Sequence, residues 1–310
     1  VPGRWITSPG RRIPVRLGSA NMVTIGLVAR HVSEEISQIA ADLMRFASAN
    51  GCEVLVEKPG GECFGGGATA VSIEDLVRRA DPIVVLGGDG SMLRVARQVS
   101  GTCPVLIGVN FGTLGFLTEI APCELISCLQ ECLKGRQRLV KRSLLYTQIV
   151  REGAVILRSQ ALNDVVVQKG LHGRLVDYDV YVDDEPTMRV RGDGVIFSTP
   201  TGSTAYALSA GGSIVHPDIS ALLVTPICAH SLTNRPLILP LDVKIRVRTH
   251  QHEGEVVAII DGQESLLLQP GDEVFITKAE HCVALVRSPS KSYFEVLRSK
   301  LHWGVVNKSD

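Results

Sequence analysis

Residues 82–99 read PIVVLGGDGSMLRVARQV. The opening PIVVL is an apolar run of strand length, and SMLRVARQV after the glycines reads as a helix. Strand, glycine turn and helix in that order is the repeating unit of a parallel sheet. It is also an anion-binding geometry, because glycines let the backbone come close and free N–H groups at a helix start point at a ligand. A plain tight turn would use Gly87, Gly88 and Gly90 equally well. Asp89 alters the balance: a carboxylate repels a phosphate, so it belongs there if it takes a proton or binds a metal. Arg94, five residues on and about one and a half helical turns away, is within reach of a phosphate.

The same alternation extends to both sides. MVTIGLVA (22–29) reads as a buried strand. Ser33 is placed to cap a helix, with Glu34 and Glu35 in its first turn and Ile36, Ile39, Ala40, Leu43 and Ala47 at helical spacing. Asn50-Gly51 stops it, CEVLVE is the next strand, and a glycine-rich loop runs from Gly60 to Gly67. Ser72 caps a short helix to Ala80, CPVLIGV (103–109) is a further strand, and Glu124–Leu133 a further helix. The grammar then changes. Between Arg138 and Arg287 strands follow without long helices, as in the alternating RLVDYDVYVDD, VKIRVRTH and EVFITKAE. Glu152-Gly153, Asp261-Gly262 and Pro270-Gly271-Asp272 supply turns, so this part reads as mostly antiparallel. SYFEVLRSKLHWG returns to helix.

The expected organisation is a flexible extension over 1–21, an α/β domain over 22–135 plus 290–310, and a β-rich domain over 136–289. A length of 310 residues suits two domains, and 45% apolar residues suit a large core. Lys plus Arg and Asp plus Glu are both 32, and a formal charge of zero argues against nucleic acid or an anionic membrane as the main partner. Residues 1–21 are rich in Arg and free of acids, without the apolar segment of a secretory signal. No run of about 18 apolar residues offers a membrane helix. Eight cysteines without a CxxC pair read as buried reduced thiols, which favours the cytosol.

Two further glycine-rich stretches follow strands. Asn110 to Leu117 (NFGTLGFL) leaves the C-terminal end of CPVLIGV, where parallel sheets bind ligands; Phe116 there is a stacking surface or core. Arg191 to Gly212 crowds hydroxyls and glycines into a loop suited to a ligand with hydroxyls and phosphates. A P-loop and an ordinary dinucleotide fingerprint are both missing. ALSAG (207–211) is one glycine short of the hydrolase nucleophile elbow.

In order, GGDG, NFGTLGFL, LNDVVV, GDGVIFSTPTGSTAYALSAGG and DGQ resemble the NAD kinases, over nearly the whole chain from Met22 to Trp303. GGDG alone is shared with lipid and phosphofructo kinases, whereas the long block is specific. The resemblance implies an α/β domain with a parallel sheet, an all-β sandwich-like second domain, and a final helix returning to the first. It implies transfer of a phosphoryl group from ATP, with Mg²⁺ or another divalent metal, to the adenosine 2′-hydroxyl of NAD. It also implies a cytoplasmic homo-oligomer, a dimer or tetramer with shared sites. Asp89 resembles the general base, with Gly90 and Arg94 beside the phosphate turn. Asn163 and Asp164 resemble the pair that holds a ribose, where the usual acid is the longer Glu. Arg174, Arg191 and Asp193 match NAD contacts, the last two across a subunit interface. Thr201, Thr204, Ala205, Tyr206, Ala207, Leu208 and Ser209 match the adenosine loop, with Tyr206 placed to stack. Gln263 matches a further contact. No metal ligand is assigned. Without the resemblance, Asn163-Asp164 reads equally as a turn, Asp261-Gly262 as a hairpin turn rather than a site, and Arg174 as a solvated residue. A lipid kinase built on GGDG and a nucleotide sensor without turnover are the competing functions.

Overall fold

A computed structural model describes residues 22–30, 33–58, 67–112, 115–170, 175–250, 254–288 and 290–303. The expectations for residues 1–21, for most of the Gly60–Gly67 loop and for Arg174 lie outside the described residues. Two compact units divide the chain. One collects the residues up to Val95, Val99–Lys141 and the chain from Val283 on; the other collects Ala96–Gln98 and Arg142–Cys282.

The first unit alternates strand and helix: β1 (Thr24–Ala29), α1 (Glu34–Ala49), β2 (Glu53–Glu57), β3 (Thr69–Val71), α2 (Ile73–Arg79), β4 (Ile83–Leu86), α3 (Asp89–Arg97), β5 (Val105–Val109) and α4 (Leu125–Leu133). Ser33 and Ser72 cap α1 and α2 through their hydroxyls, which accept from Ile36 and Asp75 N–H. The short β3 has no apolar run of its own and was not anticipated. The strands are parallel, in the order β5-β4-β1-β2-β3. Apart from the edge strand β3 they are buried on both faces and read as apolar runs, and Leu27, Val84 and Ile107 are fully enclosed in the core. From β1 the chain winds outward through β2 and β3, then crosses back to β4 and β5. The carboxyl ends of β1 and β4 therefore form the point where the order reverses, the place where open parallel sheets bind ligands. The turn Gly87–Gly90 follows β4 there.

The second unit is built from strands: β6 (Leu139–Arg151), β7 (Ala154–Ala161), β8 (Asp164–Lys169), β9 (Val176–Val182), β10 (Glu185–Gly192), β11 (Gly194–Ser198), β12 (Ala221–Ile227), β13 (Leu237–Pro240), β14 (Ile245–Thr249), β15 (Val256–Ile260), β16 (Glu264–Leu268) and β17 (Glu273–Val286), with a one-turn helix α5 (Tyr206–Ser209). One antiparallel sheet runs β13-β12-β11-β8-β15-β16, and another contains β10-β9-β14-β17. Alternation decides which face is inside: Tyr178, Val180 and Val247 meet Val165, Val195, Phe197 and Leu222 of the other sheet in one core. The opposite face of β8 and β11 is also closed, because Val166 and Ile196 pack with Ala207 of α5 and with Ile227. This is why GVIFS and ALLVTPI are buried throughout and do not alternate.

From Val283 on, β17 belongs to the first unit, where Ala284 and Leu285 pair parallel to β5. The closing helix α6 (Tyr293–Leu301), with Ser292 and Glu295 as a reciprocal cap, groups with that unit too. The thiol reading needs a correction. Among the described residues Cys52, Cys123, Cys128, Cys132 and Cys228 are free, but only Cys132 of these is buried and Cys123 and Cys228 are exposed, while Cys103 and Cys282 are disulfide-bonded.

Candidate functional site

In the first unit the geometry centres on Asp89. Its Oδ2 accepts the Phe116 N–H at 2.9 Å. Its Oδ1 accepts the Leu117 N–H at 3.0 Å and the Thr118 hydroxyl at 3.1 Å. One carboxylate thus ties the turn after β4 to the loop after β5. Oδ2 keeps a lone pair for a further donor. Two glycines make the approach possible. A Cβ at Gly115 would lie 2.0 Å from Asp89 Oδ1 and 2.3 Å from Thr118 Oγ1. A Cβ at Gly108 would lie 2.6 Å from the Leu117 carbonyl oxygen. Gly90 is exposed in the first turn of α3. A Cβ at Gly88 would meet nothing within 4 Å, so a ligand can come close there.

Arg94 has a partner that sequence reading did not supply. Its two terminal nitrogens meet the two carboxylate oxygens of Glu57, at the end of β2, one of them at 2.6 Å. This pairing holds the Arg94 guanidinium above its ordinary pKa. Both forks are taken, so a phosphate would have to displace Glu57 to receive them.

In the second unit three stretches converge on the start of β8. Asn163 and Asp164 stand there, and Asp164 is 5% exposed. The Asp261 carboxylate accepts the N–H groups of Leu162 (2.9 Å), Asn163 (2.8 Å) and Asp164 (3.1 Å). The carbonyl of Asn163 accepts Thr199 N–H at 2.9 Å, and that of Leu162 accepts the Thr199 hydroxyl at 2.6 Å. Gly202 packs so tightly on this segment that a Cβ would lie 2.1 Å from Asn163 O. The Ser203 hydroxyl bonds both Pro200 O and the Val215 backbone, closing the loop on itself. Burial, and secondly the charge of Asp261, push the Asp164 carboxyl up to about 7.

The remaining expected residues fall around this frame. Thr201, Thr204, Ala205 and Leu208 are half-buried, and Tyr206 and Ser209 are exposed. The Tyr206 hydroxyl reaches Gln168 Oε1 at 3.4 Å. Ala207 is fully buried in the small cluster under the loop, so its backbone alone can meet a ligand. Arg191 is exposed at the end of β10. Asp193 pairs with Lys169 Nζ at 2.8 Å, and the buried Tyr178 hydroxyl donates to its carbonyl at 3.1 Å. Gln263 Oε1 accepts from Arg97 at 3.1 Å. Phe116 is half-buried, with its N–H on Asp89. Sequence reading missed Glu57, Lys169 and Asp261. For Asp261 a signal existed: an Asp in a turn next to a strand can cap backbone N–H groups.

Residues 25–137 match the ATP-NAD kinase N-terminal domain, and residues 162–288 match the ATP-NAD kinase C-terminal domain. A protein named NAD kinase from Syntrophotalea carbinolica is 43% identical over 283 residues, covering 91% of this chain and 99% of the relative. The NAD kinase of Geotalea daltonii is 41% identical with the same coverage. Among solved structures, yeast NADH kinase complexed with NADH aligns with a TM-score of 0.81 at 28% identity, covering 93% of this chain and 89% of that one. An Archaeoglobus fulgidus NAD kinase in complex with ATP aligns with a TM-score of 0.70 at 23% identity, over 89% of this chain and 99% of that one, and shows the shared fold.

Two outcomes are expected. Gly115→Ala places a methyl where the Asp89 carboxylate sits, so it should lower turnover about tenfold or more while the far-ultraviolet circular dichroism is unchanged. Wild-type turnover in that variant would show that the Asp89 clamp is dispensable. The second concerns pH. Asp164 titrates near 7 when folded, against an ordinary 3.8. Between those values the folded chain holds the extra proton, so folding stability falls as pH rises from about 4 to about 7. The contribution is on the order of 1.4 kcal/mol per pH unit at most. Asp164→Asn removes that slope, so urea unfolding at pH 5 and pH 8 should show the variant gaining on the wild type at the higher pH. Parallel pH dependences would count against the shift.

Proposed function

The chain belongs to the NAD kinase family, and from that premise we propose that it transfers the γ-phosphate of ATP to the adenosine 2′-hydroxyl of NAD, producing NADP. The observation that carries the mechanism is the Asp89 carboxylate, fixed by three donors at the sheet's reversal point with one lone pair of Oδ2 left over. Phosphoryl transfer asks mainly for positioning and charge stabilisation, with no covalent nucleophile. In this reading the 2′-hydroxyl attacks the γ-phosphorus, the bond from that phosphorus to the bridging oxygen of ADP breaks, and Asp89 accepts the hydroxyl proton. Gly88 and Gly90 leave room for phosphates at the start of α3.

NAD recognition falls in this proposal to Asn163, Asp164, Arg191, Asp193, Thr201, Thr204, Ala205, Tyr206, Ala207, Leu208, Ser209 and Gln263, and to Arg174 outside the described residues. Asp164 and Asn163 hold a ribose, and the exposed ring of Tyr206 stacks on adenine. The relative complexed with NADH supports a nicotinamide dinucleotide as the acceptor. Arg94 acts on phosphate only by exchanging Glu57 for it.

Among the described residues no three His, Cys, Asp or Glu side chains gather as a metal cage. In this proposal Mg²⁺ arrives on ATP, since this ion keeps waters and substrate phosphates as most of its ligands. When bound it neutralises phosphate charge. A homo-oligomer, dimer or tetramer, in which Arg191 and Asp193 serve a neighbour's site completes the proposal. No helix among the described residues is long and apolar enough to cross a membrane. We take the cytoplasm as the place of action, as the family resemblance implies; among the described residues five thiols are free, while Cys103 and Cys282 are disulfide-bonded.

Incubation with Mg-ATP and NAD, followed by an NADP-specific dehydrogenase, should register NADP. Asp89→Asn should lower kcat about 10²–10⁴-fold, the usual contribution of a general base, with NAD affinity retained. Full activity in that variant rejects Asp89 as the base. No NADP from the wild type rejects the kinase reading and leaves a nucleotide sensor. Phosphorylation of a lipid alcohol in its place would select the lipid kinase.

A further inference from the structure

The sequence DGQ reads as a hairpin turn, and the structure contains that turn between β15 and β16. Asp261 does more than turn the chain. It has φ +50°, in the left-handed region that Asp tolerates better than most residues. That conformation sends its side chain inward, and the residue is 6% exposed. Its Oδ1 accepts two N–H groups, of Asn163 and Asp164, and its Oδ2 accepts one, of Leu162. The chain is also tied in the reverse sense, because Asp261 N–H donates to the Asp164 carbonyl at 2.9 Å. Three successive N–H groups on one carboxylate fix both the direction and the register of the segment.

We propose that Asp261 is a positioning residue for the dinucleotide acceptor: through the three N–H groups of Leu162, Asn163 and Asp164 it sets the backbone from which Asn163 and Asp164 reach the ribose. This rests on the NAD kinase reading. Asp261 touches no reacting atom. Its placement also brings a second carboxyl beside Asp164, whose titration near 7 reflects burial first and Asp261 second. Burial pushes Asp261 itself upward, against the pull of its three N–H donors and of Arg97. Among the described residues the Tyr206 hydroxyl also feels the charge of Asp164.

Two variants separate the roles of geometry and charge. Asp261→Asn keeps the shape but loses the charge and turns one acceptor into a donor facing an N–H. Asp261→Glu keeps the charge but moves it by a methylene. Both should raise the KM for NAD about tenfold, the loss of one net hydrogen bond, with kcat and the KM for ATP within about threefold. The low-pH limb of kcat/KM for NAD should move to lower pH in Asp261→Asn, where Asp164 loses its like-charged neighbour, and should stay in place in Asp261→Glu. Amide exchange of Leu162, Asn163 and Asp164 in the ligand-free protein should quicken about tenfold in both variants. That readout needs no turnover. If the wild type makes no NADP while exchange quickens, the clamp stands and the functional reading falls. An unchanged KM for NAD, superimposed pH profiles or unchanged exchange overturns the proposal. Should Asp261→Asn fail to fold, Asp261→Glu still decides it through KM and exchange.

Discussion

A loop that must face a ligand cannot pair all of its N–H groups with neighbouring strands, and a buried N–H left alone costs about 1–3 kcal/mol. Here carboxylates take up those groups. Asp89 receives two N–H groups and a hydroxyl from the loop after β5, and Asp261 receives three from the segment before β8. The device recurs away from the candidate residues: Asp81 accepts Val105 N–H at 3.0 Å, Asp272 accepts Gln269 N–H at 2.8 Å, and Asp183 accepts Lys244 N–H at 2.9 Å. Bonds to a charged acceptor are the stronger kind, worth about 1.5–3 kcal/mol each. They offset the cost of burying the carboxylate only when several act together, which is why Asp261 collects three donors.

The same bonds bear on function. Catalysis by positioning depends on groups that are already oriented when the substrate arrives. Each clamp anchors a loop to the end of a core strand, β4 for Asp89 and β15 for Asp261, so the loop inherits the rigidity of the sheet. Glycines supply the space: without side chains at Gly115 and Gly202, the Asp89 carboxylate and the Asn163 carbonyl can sit where a methyl group would otherwise be. Charge is handled locally too. Arg94 with Glu57 and Lys169 with Asp193 are paired ions, so the overall neutrality of the chain is repeated on the scale of single contacts.

Most of the fold could be read from local pattern. Apolar runs gave the parallel strands, Ser33 and Ser72 the helix starts, and two-residue alternation the antiparallel strands. The site was legible as an ordered set of motifs, and less so as geometry. Asp261 read as a turn because its role depends on partners about a hundred residues earlier in the chain. Arg94 read as a phosphate ligand because nothing local points to Glu57, 37 residues away. Ala207 read as a ligand contact, although its side chain fills the cluster beneath the loop. The disulfide-bonded state of Cys103 and Cys282 was hidden for the same reason, since both sit in ordinary apolar strand sequence. Short-range rules recover elements, while pairings of distant charges and thiols need the folded chain.

The central claim is that both loops are set before any ligand binds. Crystal structures of the protein alone and with NAD bound test it most directly. The backbone of Phe116–Leu117 and of Leu162–Asp164 should superimpose within about 1 Å between the two, the usual range for a pre-organised site, with the N–H bonds to Asp89 and Asp261 intact in both. Loops that move by more than about 2 Å, or carboxylates that release their N–H groups when NAD binds, would contradict it.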